Sequence, residues 1–171
     1  GSIDWLCWPR FDSPACFAAI LGSTGNGHWR IAPTEPVLRI SRRYRDETMV
    51  LETLFETASG SFALIDFMAR DEPAVIRIVE GRTGRVPMAM ELVLRFDYGA
   101  VVPWVTRMNH GSGIRAVAGP DQVVVQADVA LHGRAMTTIA DFTAEAGQRV
   151  RFAMAHAASH LPAPVPPDPD K

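Results

Sequence analysis

Cysteine is nearly absent, and what is left of it is placed to do little. Cys7 and Cys16 are the only two in 171 residues, too few for a disulfide scaffold and outside the CxxC or CxxH spacing of a zinc or redox site. Buried free thiols are the first reading, with a local bridge left open. Unpaired thiols fit a reducing compartment, so a cytoplasmic location is expected. An excess of either charge is also missing: the formal net charge is −2, with no block of one sign. A surface without a basic field does not track phosphates, so nucleic acid is not an expected partner. The apolar runs, such as those at 123–125 and 152–155, fall far short of the roughly 20 residues that span a bilayer. No basic start followed by an apolar core marks a signal peptide, and no membrane partner is expected. Catalytic signatures are missing as well. There is no GxSxG elbow and no HExxH, and the glycine-rich GSTGNG at 22–27 lacks the GK[ST] ending that cradles phosphate. His110, His132, His156 and His160 are scattered, and only His156 and His160 stand four apart, at a strand exit into prolines. Neither a metal nor a cofactor is expected.

What is present is alternation. A hydrophobic fraction of 47% in a chain the size of one ordinary domain supports a real core. Residues 3–7 alternate as a short strand, with Ile3, Trp5 and Cys7 on one side. Trp8, Pro9 and Arg10 break it. Asp12 or Ser13 is placed to cap a helix over 14–21, with Pro14 at its first position and Gly22 ending it. A turn at 22–27 leads to a strand at 28–32. Met49, Leu51 and Phe55 then oppose Glu52 and Glu56, and Phe62, Leu64 and Met68 follow beyond a turn at Ala58, Ser59 and Gly60. The row Val86, Met88, Met90, Leu92, Leu94 and Phe96, with Glu91, Arg95 and Asp97 opposite, predicts the clearest strand. Further strands are predicted at 114–117, 122–127, 135–142 and 148–155, joined by turns at 119–121 and 145–147. Many short strands and one short helix near the N-terminus predict an all-β fold, an antiparallel β-sandwich of the supersandwich type. Residues 1–160 form that domain. Residues 161–171 hold Pro162, Pro164, Pro166, Pro167 and Pro169 and read either as an extended polyproline spacer, rising about 3.1 Å per residue, or as a disordered tail.

The stretch GSIDWLCWPRFDSPACFAAILG at 1–22 resembles the N-terminal motif of family 15 glycoside hydrolases of the bacterial trehalase and glucoamylase type. The resemblance continues through GHWRIAP at 27–33, SRRYRDETMVLETLFETASG at 41–60, LIDFM at 64–68, VEGRTGRVPMAMELVLRFDYG at 79–99 and PAPVPPDP at 162–169. It implies a first strand ahead of Gly1, absent from this chain, and a helical catalytic barrel following the proline-rich segment. It also implies inverting hydrolysis of an α-glucosidic bond, with trehalose the leading substrate and starch-derived glucosides behind it. In that family the acid and base glutamates lie in the barrel, so no acid here inherits a catalytic role. The chain alone is expected to be inactive and to self-associate through the face its barrel would cover.

Two acids stand among apolar neighbours: Asp66 beside Phe62, Leu64 and Met68, and Glu80 after Ile76 and Ile78. Glycoside hydrolysis needs two carboxyl groups flanking one bond. Pairing with Arg77 or Arg82 is the plainer reading of both, and an independent small enzyme built on them ranks last. The opening loop is the better candidate. Trp8, Arg10, Phe11 and Asp12 combine aromatic faces with charged groups that bond hydroxyls, so they are predicted either to wall a substrate pocket at a domain boundary or simply to pack. The alternative function is a self-sufficient carbohydrate-binding module using exposed aromatics such as Trp29 or Trp104.

Overall fold

The computed structural model describes residues 1–108 and 111–168. His110 and Pro169, both singled out above, lie outside the described residues. The chain forms fourteen strands among them: β1 (Ser2–Ile3), β2 (Trp5–Cys7), β3 (Ala15–Ala18), β4 (His28–Pro33), β5 (Val37–Tyr44), β6 (Leu51–Thr57), β7 (Gly60–Met68), β8 (Ala74–Val93), β9 (Trp104–Met108), β10 (Gly113–Ala118), β11 (Asp121–Ala127), β12 (His132–Arg134), β13 (Thr137–Glu145) and β14 (Arg149–Ala158). All the ladders are antiparallel. The all-β, sandwich-like architecture expected from the alternation is the one observed.

The 20-residue β8 belongs to both layers. Its first half lies between β7 and β14, in a layer ordered β5-β6-β7-β8-β14-β11-β10-β9. Its second half lies between β4 and β13, in a layer completed by β1 and β12. Two glycines permit the crossing. A Cβ on Gly81 would sit 1.9 Å from the Glu145 carbonyl oxygen, and one on Gly84, at φ +65°, would sit 2.0 Å from that of Ser59. Only a residue without a side chain lets those backbones approach.

Pleating then sorts the side chains. Val75 and Val79 point inward to meet Phe62, Leu64, Phe152 and Met154, while Trp29, Ile31, Met88 and Met90 close the core from the other layer. Burying each of these large groups contributes about 1.5–3 kcal/mol. Ile76 and Ile78 point the other way and form a small outer cluster with Ile65 and Ala153. Between Val75 and Val79 stands Arg77, fully buried. Its Nε donates to Asp66 Oδ1 at 2.8 Å and its Nη2 to Asp66 Oδ2 at 3.3 Å, with further bonds to the carbonyls of Trp29 and Gly1. Its guanidinium also lies 5.3 Å from the centre of the Trp29 ring.

The first strand and the helix come out differently from the sequence reading. Residues 3–7 divide at Asp4: β1 pairs with β4, and β2 pairs with β3 in a separate hairpin. The helix predicted over 14–21 is replaced by β3 and one 3-10 turn at Ala19–Leu21. Ala15, Cys16, Phe17 and Ala18 are all buried, and a short apolar run enclosed on both faces favours a strand over an amphipathic helix. Ser13 caps no helix; its hydroxyl accepts from the Arg10 N–H at 3.2 Å.

At the other terminus, buried Gln122 holds the end of β14 and the start of the proline-rich segment. Its Nε2 donates to the carbonyls of Ala158 and Leu161 at 2.9 Å and of Pro162 at 3.2 Å. Pro166, further on, is buried, and with Pro167 it bounds a cavity of about 360 Å³ over Gln126, Asp128 and Arg151.

Two predictions follow from these charges. Asp66→Ala leaves the Arg77 cation buried with one partner removed, and urea unfolding is expected to show a loss of about 3–5 kcal/mol, largely recovered by Asp66→Leu combined with Arg77→Met. On the outer face Glu52 is gripped by Arg43 at 2.8 Å and Arg45 at 2.9 Å. The Arg43 hydrogen bonds first, and Arg45 after them, hold its carboxyl below the ordinary glutamate value of 4.5, against the opposing pull of burial. A depressed folded value means stabilisation that is complete above 4.5 and lost as pH falls through the lower folded value. Unfolding measured across that range should therefore lose stability toward acid, and Glu52→Gln should flatten the slope.

Candidate functional site

The loop joining β2 to β3 carries the four predicted site residues, and the fold separates them. Trp8 turns inward: it is 5% exposed, and its ring centre lies 5.8 Å from that of His156. His156 is itself buried and bonds Asp121 Oδ1 through Nε2 at 2.8 Å. The Trp8 indole N–H has no hydrogen-bond partner among the described residues, so Trp8 acts as an apolar plug at the end of the sandwich. Phe11, three residues on, is 90% exposed at the tip of the loop. Arg10 and Asp12 face each other across it, Nε to Oδ1 at 2.9 Å and Nη2 to Oδ2 at 3.1 Å. Both are exposed, so this fork is worth about 0–1 kcal/mol and exchanges readily for an incoming partner.

Sequence reasoning missed what the loop borders. It walls a cleft of about 650 Å³ whose other side is the β7–β8 turn, with Arg70, Asp71 and Glu72. A neighbouring cleft of about 500 Å³ is lined by Tyr44, Met49 and Phe67, and Trp5, Leu6 and Met68 line both. Trp5, Phe11, Tyr44, Met49 and Met68 are all exposed, so this end of the sandwich presents a group of apolar side chains, bordered in the wider cleft by Arg10, Arg70, Asp71 and Glu72. The available signal was Met49 and Met68, large apolar residues just before β6 and at the end of β7.

The other candidates resolve individually. Asp66 pairs with Arg77 at 2.8 Å, and Glu80 with Arg82 at 2.7 Å and Arg149 at 3.5 Å. Arg77 and Glu80 are three apart on β8, so Asp66 and Glu80 lie on opposite faces of the sheet and cannot flank one bond. Both thiols are free. Burial, and then the Asp12 carboxylate, push the Cys7 thiol up; deeper burial pushes Cys16 higher still. Neither supplies a thiolate nucleophile near neutral pH. Trp29 is fully buried under Arg77, which removes it as a sugar platform, whereas Trp104 stays exposed. Among the described residues no three His, Cys, Asp or Glu side chains converge as a metal site.

A family model described as trehalase-like, N-terminal, matches residues 1–152. The chain is 36% identical to trehalase 1 of Sulfolobus acidocaldarius over 111 residues, covering 65% of this chain and 19% of that protein. It is 34% identical to a trehalase of Thermoplasma acidophilum over 120 residues, 65% of this chain and 20% of that protein. To a trehalase of Mycolicibacterium smegmatis it is 33% identical over 122 residues, 59% of this chain and 18% of that protein. The chain therefore spans no more than a fifth of the length of these relatives.

The division within the loop is measurable. Trp8→Ala should cost about 3–5 kcal/mol in thermal or urea unfolding through the cavity it leaves, whereas Phe11→Ala should stay within about 0.5 kcal/mol of the parent.

Proposed function

The chain belongs to the trehalase-like N-terminal domain family, and on that premise we propose that it is the non-catalytic β-sandwich of a family 15-like glycoside hydrolase acting on an α-glucosidic bond. Trehalose is the leading substrate and starch-derived glucosides stand behind it, with inversion as the resemblance implies. The catalytic acids reside in a helical barrel elsewhere in the longer protein, reached through the proline-rich residues 161–171. The sandwich, residues 1–160, supports and partly shapes that barrel's active site.

The observation that carries this reading is the end around Trp5, where Phe11, Tyr44, Met49 and Met68 stand exposed beside two adjoining clefts. Relatives at least five times the length of the matched segment supply a body large enough to cover it. Seating that body on a rigid sandwich fixes pocket geometry, which catalysis needs to within fractions of an ångström. The exposed Arg10 and Asp12 then stand at the rim, where they can bond the partner or the substrate's hydroxyls. Uncovered, the same surface favours self-association. No helix among the described residues is long and apolar enough to cross a membrane, and the unbridged thiols support a cytoplasmic setting.

The test compares hydrolysis of trehalose, maltose and soluble starch by this chain and by the same chain extended through the barrel. Glucose release is expected only from the longer protein; release by the short chain would refute the reading. Met49→Asp and Phe11→Asp in the longer protein should lower kcat/KM while leaving the unfolding of the short chain within about 0.5 kcal/mol.

A further inference from the structure

A second apolar surface lies away from the opening loop, between the edge strand β9 and the β12–β13 hairpin. It is a groove of about 340 Å³, lined by Leu94, Val102, Trp104, Val105, Arg134 and Met136 among others, and no carboxylate lines it. Trp104 is 78% exposed and Met136 75%. The backbone at the rim is strained. Ala135 and Met136, the two residues of the hairpin turn, have φ of +48° and +60°, a region that residues with a Cβ enter at a cost and that such turns normally fill with Asn-Gly. Arg95 fastens the turn, its Nη1 donating to the carbonyls of Leu94 at 2.7 Å and Met136 at 3.3 Å. Strain of this kind persists where the surroundings over-determine it, and ligand clamps are a common setting. Arg134, at the end of β12, is paired with Thr137 through the strand ladder; its side chain makes no hydrogen bond or ion pair with a described residue and stands between this groove and a smaller cleft that holds Glu91 and Asp141.

An exposed indole face, an apolar rim and an arginine at the border, with no carboxylate in the lining of the groove itself, match one ligand chemistry closely. A pyranose ring offers an apolar C–H face to the indole and a row of hydroxyls to a planar donor. The groove falls at the lower end of the size range of small-ligand sites. We propose that this groove is a non-catalytic sugar site, binding one pyranose ring of an oligosaccharide stacked on Trp104, with Arg134 donating to its hydroxyls. Arg95 and the strained turn set the height of the Met136 wall. The site is distinct from the clefts around Trp5, so the sandwich can hold a sugar there while its other end is covered. Only the choice of an α-glucoside as probe rests on the function proposed above. Binding is read on this chain without hydrolysis, so failure here is separable from failure of that reading.

The test is a titration of the ¹⁵N-labelled chain with maltotetraose and, separately, with trehalose, following the four indole N–H signals. A saturable shift of the Trp104 signal is expected, with that of Trp5 unmoved. Trp104→Ala should abolish binding, and Arg134→Ala should weaken it about tenfold, the equivalent of one charged hydrogen bond. Both side chains are exposed, so a dispersed spectrum in each variant separates lost binding from lost folding. No saturable shift with either sugar, or a shift confined to Trp5, overturns the proposal. So does finding the Trp104 indole already shielded in the longer protein without sugar.

Discussion

One buried cation holds the two layers in register. Arg77 sits on the strand that both layers share, and its guanidinium reaches β7 through Asp66, β4 through the Trp29 carbonyl and the start of β1 through the Gly1 carbonyl. A charge in that position tolerates no sliding. A one-residue slip of β8 would turn Arg77 outward and carry Ile76 or Ile78 into the polar gap it leaves. Such pairs add little net stability over a well-packed apolar substitute, because desolvation offsets most of the attraction. What Arg77 contributes is uniqueness: the arrangement that satisfies its donors also seats Trp29 beneath it and closes the core.

Much of this could be read from the residues. The row from Val86 to Leu92 falls on a core strand, with Leu94 and Phe96 buried beyond its end, and the turns at Ser59, Pro120 and Ala146 fell where glycine, proline and aspartate allow them. The pairing of Asp66 and Glu80 with arginines was also readable, since a carboxylate on an apolar strand face needs a cation nearby. What escaped the sequence was continuity. Residues 74–93 form one strand because Gly81 and Gly84 let it pass between layers, and glycines in a strand pattern look like ends. The apolar run after Pro14 misled for a related reason. Burial on both faces erases the periodicity that separates helix from strand.

The functional end was harder to read, because composition says which residues can bind but not which way they point. Trp8 and Phe11 are equivalent as sequence, yet one fills the core and the other stands in solvent. Trp29 and Trp104 divide in the same way. In both pairs the buried member lies beside groups contributed from far along the chain: His156 for Trp8, Arg77 for Trp29. Those neighbours are set by topology, so no local window of sequence contains them.

The surfaces then fall into two kinds. On the outer face of the β5–β8 layer the carboxylates are answered: Glu52 by Arg43 and Arg45, Glu56 by Arg39, Glu80 by Arg82 and Arg149. That face is complete in water, because its charges are paired and its small apolar cluster of Ile65, Ile76 and Ile78 is buried. The end carrying Trp5, Phe11, Tyr44, Met49 and Met68 is not complete. There large apolar groups stay exposed beside two clefts, with Arg10, Arg70, Asp71 and Glu72 at the border of one of them. A sheet finished on one face and unfinished at one end has a direction. Water covers the first, and the physics of burial calls for a second body at the other. The same contrast gives Trp104 its interest, since its groove is small, bordered by arginine and backed by a strained turn, features suited to one ring rather than to a broad protein surface.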